Sequence, residues 1–166
     1  MYMQLKTVSF REAFSKNTFY RFLNNPKTNW LRFTTVLSKE VALSVEPLTG
    51  NDRVNSFVVD GRLIERTVCK KTELGSKIID HVSMKYRKGY RLMTLGWTSS
   101  NTFLPANSNL LASLKAETLI GPVHEHDGGS LAARWRKLAQ MKGTDVMIEP
   151  LKTAQSAGHH ADYFLV

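Results

Sequence analysis

Three features of the chain predict an α+β fold. Apolar residues recur at helical spacing in the N-terminal third. β-branched and alternating runs fill the middle, from about residue 54 to 112. Helical spacing then returns before a short apolar tail at 163–166.

The first helix is expected from Ser15 to Pro26, with Ser15 or Asn17 as cap and Pro26 as its stop. Phe19, Phe22 and Leu23 fall on one face of it. A longer helix is expected from about Thr28 to Val45, because Trp30, Phe33, Leu37 and Val41 recur on one face, with Ala42 and Val45 adjoining. The basic residues around the break, including Arg21 and Lys27, admit two readings. One is a DNA-reading helix-turn-helix, and the other is an ordinary helical hairpin with a solvated face. The turn cluster 49–52 marks the boundary between a helical part, 1–49, and the remainder, 50–166.

Phe57, Val58 and Val59 open the strand region as a buried β-branched run over 54–60. It ends at Asp60 and Gly61, so the Asp60 carboxylate is expected at a strand exit. There it is suited to hold a divalent metal, or else to form a plain Asp-Gly turn. A polar connection, 67–76, leads through Ile78 and Ile79 to Asp80 and His81. A strand over 89–98, a turn at Thr98–Asn101 and a return strand over 101–112 make an antiparallel meander with the first. Pro105 places part of the return strand at an edge or an irregularity. Lys85, Arg87, Lys88 and Arg91 interleave with Tyr86 and Tyr90. They read equally as a phosphate-binding hairpin or as a solvated edge that resists aggregation.

Val123–Asp127 (VHEHD) lacks a zinc-site spacing. Ser130 is expected to cap a helix, 131–141. Thr144 is expected to cap another, 145–157, with Pro150 kinking it. His159 and His160 are expected to be exposed, and 163–166 to form a strand beside the first.

The chain has 166 residues, 42% of them apolar, which suits a globular core. Its net charge of +9 favours an anionic partner. No apolar run approaches the ~20 residues that span a bilayer. The N-terminus lacks a signal-peptide core, and the single Cys69 suits a reducing compartment, so a cytoplasmic location is expected.

Five segments carry a resemblance: TFYRFLNNPKTNW (18–30), FVVDGRLIERT (57–67), IIDHVSMKYRKGYRLMTLGWT (78–98), RKLAQMKGT (136–144) and SAGHHADYFLV (156–166). In this order they resemble bacterial insertion-sequence transposases of the DDE type. The resemblance implies a ribonuclease-H-like catalytic domain, here as an incomplete N-terminal portion: three antiparallel strands, helices and the start of a fourth strand. It implies metal-dependent phosphoryl transfer on transposon DNA ends with Mg²⁺ or Mn²⁺. Asp60 matches the first catalytic, metal-binding carboxylate. The family's second Asp follows the strand that here is 163–166, and its Glu comes much later, so neither position lies in this chain. Asp162 precedes that strand and does not take the missing place. Gly61 stands where the family commonly has a second acidic residue, and with Pro150 it suggests an interrupted copy. Asp80 is the nearby substitute to consider.

The expectation is therefore a truncated transposase fragment that binds double-stranded DNA through Lys85, Arg87, Lys88, Arg91, Arg21 and Lys27. With one carboxylate it holds the metal loosely and is catalytically inactive alone. The competing expectation is a non-catalytic DNA-binding protein that represses an intact transposase.

Overall fold

A computed structural model of the chain describes residues 15–48, 50, 52–68, 70–121, 123–124 and 128–166. Cys69 and residues 125–127 of the VHEHD run lie outside the described residues.

Helix α1 spans Lys16–Leu23, and the Ser15 hydroxyl accepts from the Thr18 N–H at 3.2 Å. Helix α2 spans Trp30–Val45, capped by the Asn29 carboxamide, which accepts from the Arg32 N–H at 3.0 Å. The apolar face expected of α2 is turned outward: Phe33, Leu37 and Val41 are exposed. The buried side carries Thr35, Ser38 and Ala42 instead. Hydrogen bonding decides the orientation. Asn107 Nδ2 donates to Thr35 Oγ1 at 3.0 Å, and Ser38 Oγ lies 3.4 Å from His159 Nε2. Those partners are distant in sequence, so helical spacing alone does not show which face turns in.

Among the described residues five strands form one mixed sheet: β1 (Asn55–Glu65), β2 (Ser76–Asp80), β3 (Lys85–Ser99), β4 (Thr102–Leu111) and β5 (Tyr163–Leu165). Strand β3 is the spine. Along one edge it pairs antiparallel with β1, from Gly89 opposite Glu65 to Ser99 opposite Asn55. Along the other edge it pairs first with β2 and then with β4, which follow each other end to end. Strand β5 runs parallel to β1, with Phe164 level with Phe57 and Leu165 level with Val58. The α+β class and the strand beside the first are therefore as expected.

Two expectations about the strands change. The first strand does not stop at Asp60 but runs on to Glu65, so Asp60–Gly61 is no turn. Pairing with β3 supplies ladder bonds along that whole stretch, which outweighs the poor strand propensity of Asp and Gly. The supposed connection before Asp80 ends in a strand of its own, β2.

Helix α3 (Leu131–Ala139), capped by Ser130, and helix α4 (Gly143–Ser156) lead from β4 to β5. The expected Thr144 cap is absent, because Thr144 already lies inside α4 and Lys142 stands at the cap position without a side-chain bond. Pro150 is fully buried within α4, and its carbonyl accepts from Asn107 Nδ2 at 3.4 Å.

The core lies on one side of the sheet. Phe57, Leu95, Trp97 and Ala106 pack there with Ala42 of α2 and Ala154 of α4. Ala106 occupies a bulge, where the β3–β4 register jumps between Leu95 and Gly96, next to Pro105. His159 is also on this side. It is 2% exposed, contrary to expectation, and packs edge-on against Phe57 at 5.2 Å between ring centres.

Candidate functional site

Side chains alternate across a strand, so the register sorts the site residues by face. Phe57, Val59, Leu95 and Trp97 share the helix-covered face. Val58, Asp60 and Arg62 point the opposite way, and Asp60 and Arg62 are exposed. Across the strands Asp60 stands opposite Thr94, and Thr94 opposite Ser108. The Thr94 and Ser108 hydroxyls are 2.9 Å apart. Asp60 therefore begins a polar row that crosses the middle of an open sheet face. Next to it, Phe103 lies over Gly96 and fills the space a Cβ would take.

The four cationic residues expected on one hairpin are split by the same alternation. Lys88 shares the open face with Asp60, whereas Lys85, Arg87 and Arg91 have the opposite phase. Arg87 is partly neutralised, since its guanidinium lies 3.4 Å from Glu65 Oε1. Arg91 is half-buried between Leu63 and Leu111 of the flanking strands. Arg21 lies in the last turn of α1, and Lys27 stands in the turn after the helix, its N–H bonded to Asn25 Oδ1 at 3.0 Å; both are exposed.

Two cations overlooked in the sequence join the open face. Arg62 lies two positions beyond Asp60 on β1, and Lys77 pairs with Lys88. The period of two would have pointed to Arg62 once the first strand was extended through Glu65. With Tyr86, 72% exposed, these residues form a cationic strip on the open face beyond Asp60.

Asp80 does not reach Asp60. It pairs with Lys85, nine positions along β3 from Thr94, which is roughly 30 Å, and its phase is that of the covered face. Its carboxylate is committed to the β2–β3 turn, accepting from Ser83 Oγ at 2.6 Å and from the Val82 N–H at 3.1 Å. The Ser83 hydroxyl bond, followed by the Val82 amide, holds its pKa below the usual carboxylate value. His81 is exposed in that turn. Asp162 closes the start of β1: it accepts from the Asn55 N–H at 3.1 Å, and its own N–H donates to Asn55 O at 2.8 Å.

Among the described residues no group of three His, Cys, Asp or Glu side chains stands close enough to hold a metal ion. Mg²⁺ requires several oxygen ligands in near-octahedral array, and Asp60 supplies one carboxylate beside a hydroxyl row. The described residues therefore do not by themselves fit a two-metal centre.

Compared with protein-family models, curated proteins and solved structures, the chain finds no match.

Proposed function

We propose that the chain is the N-terminal portion of a DDE-type transposase catalytic domain, which binds duplex DNA on the open sheet face and does not cut it alone. The observation that carries this reading is the strand order. Apart from β2, which extends the sheet at the far end of β3, three antiparallel neighbours, β4, β3 and β1, are followed through two helices by β5, parallel to β1. That is the order expected of the opening of a ribonuclease-H-like fold. With Leu165 level with Val58, the position after Val166 in a longer chain would fall beside Asp60, where the family's second Asp is expected. The cationic strip of Arg62, Lys77 and Lys88 suits a phosphate backbone laid across that face.

Mg²⁺ or Mn²⁺ would supply activation of the attacking oxygen and stabilisation of the leaving one in an intact family member. Here Asp60 can contribute one ligand, so no cleavage step is assigned to this chain.

The experiment titrates labelled duplex at low and physiological salt, and incubates supercoiled plasmid carrying the element's ends with Mg²⁺ or Mn²⁺. Weak binding that falls steeply with salt, and intact plasmid, are expected. Replacing Lys77 and Lys88 together by Gln should lower the salt slope by about two. Salt-independent affinity, or no binding at low salt, would overturn the DNA reading. Metal-dependent nicking that disappears in Asp60→Ala would overturn the inactivity.

A further inference from the structure

A cavity of about 510 Å³ opens between β4, α2 and α3, away from the Asp60 face. Its volume is that of a small-molecule site. Trp30 of α2 and Trp135 of α3 line it, together with Leu74, Ala106, Ala132 and Ala139. Its polar lining includes Thr34 of α2, Glu73, Arg136 of α3 and two amides of β4. Asn107 and Asn109 both line it, two residues apart on the same strand face, 3% and 7% exposed. The Asn107 amide is oriented by its donor side, which serves Thr35 and Pro150. That leaves Asn107 Oδ1 as a buried acceptor and Asn109 Nδ2 as a buried donor, neither with a hydrogen-bond partner among the described residues.

At the cavity's edge Arg136 Nε donates to Glu73 Oε1 at 2.8 Å, and the same carboxylate oxygen accepts from the His124 N–H at 3.2 Å. These bonds fix the Glu73–Leu74 wall, where Leu74 adopts a φ of 62°. The walls are thus held in place while two amide atoms inside stay unsatisfied.

We infer that this cavity is a binding site for a flat heteroaromatic molecule of purine size that presents both a hydrogen-bond acceptor and a donor. An orphaned buried amide costs far more than a satisfied one gains, and a void forfeits dispersion contacts along its lining. A purine-like ring answers both deficits: an acceptor for Asn109 Nδ2, a donor for Asn107 Oδ1, and faces for the two indoles. Water would satisfy the amides but gains nothing from the indoles and the apolar walls. The site does not depend on DNA binding, because the cavity and the cationic strip lie on opposite faces of the sheet.

The test titrates adenine against the full chain and reads tryptophan fluorescence and the thermal midpoint, with indole, which offers no ring acceptor, as comparison. Saturable quenching and a raised midpoint with adenine are expected, and a weaker effect with indole. Asn109→Leu should weaken adenine binding roughly tenfold, one hydrogen bond's worth. It should leave the unliganded midpoint equal or higher, since it removes an unsatisfied amide. Ala132→Leu adds bulk to the cavity wall from α3 while leaving both amide residues in place, and it should abolish binding. A response that stays linear through millimolar adenine overturns the inference. So does unchanged adenine affinity in either variant.

Discussion

The two faces of the sheet are made by alternate residues of the same strands, yet they obey different rules. On the covered face, Phe57, Leu95 and Trp97 are at most 3% exposed and meet alanines at the helix contacts, Ala42 and Ala154. At these contacts β1 and β3 supply the large side chains and the helices present alanines, which lets α2 and α4 approach closely. On the open face, the same central positions carry Asp60, Thr94 and Ser108, which a core would not tolerate unpaired. One phase of the pleat holds the fold, and the other is free to carry chemistry. The difference predicts that substitutions one residue apart in β1 and β3 have effects of very different size.

The largest effect is expected on the covered face. Trp97→Ala removes the largest fully buried side chain among the described residues and leaves a cavity between β3, α2 and the His159 ring. It should cost about 3–5 kcal/mol, read as a shift of the urea midpoint. A loss below about 1 kcal/mol would mean that the helices do not seal this face in solution, and the contrast between the faces would collapse.

An intermediate effect is expected from His159, the titratable group buried on that side. Burial, reinforced by the positive charges of His160 and Lys39, lowers its pKa below the ordinary value. Glu46 and Asp162 line the same hollow, and the shift remains downward. The folded state therefore resists protonation while the unfolded chain takes the proton near pH ~6.5. The stability this group contributes is complete above that value and declines as pH falls through the lowered folded pKa. Denaturation midpoints measured from pH 8 down to 5 should drop more in the parent than in His159→Gln. Parallel profiles would show that His159 is hydrated.

The class and most elements of this fold are legible in the sequence because they rest on local signals. Ser15 and Ser130 cap their helices as their positions suggest, and Phe57–Val59 makes a strand as its β-branching suggests. Facing is less legible, because it depends on partners far along the chain. Thr35 and Ser38 turn inward for Asn107 and His159, which overrides the apolar row Phe33, Leu37 and Val41. The bulge at Ala106 shifts the phase of β4, so the inward Asn107 and Asn109 cannot be identified by counting from Phe103. Of the candidate site, Asp60 is visible as a carboxylate on a buried run. Arg62 and Lys77 are not, because the Asp60–Gly61 pair reads as the end of β1 and the polar run before Asp80 reads as a connection rather than as β2.

The smallest effect is expected from Asp60 itself. Its carboxylate is exposed, and its cross-strand neighbour Thr94 bonds Ser108 rather than Asp60. The β1 ladder around it is made by backbone groups that a substitution leaves in place. Ala has only a slightly different strand preference from Asp, so Asp60→Ala should shift stability by no more than about 0.5 kcal/mol. The same substitution removes a negative charge from the open face beside Arg62, so duplex affinity at low salt should stay equal or rise modestly. Both readings come from one purified variant, by urea denaturation and by titration of labelled duplex. A destabilisation comparable to that of Trp97→Ala would show that Asp60 is tied into the structure, and the open face would then be no freer than the covered one. A marked loss of duplex binding would place the carboxylate in the recognition of DNA itself, apart from any metal it helps to hold in a longer chain.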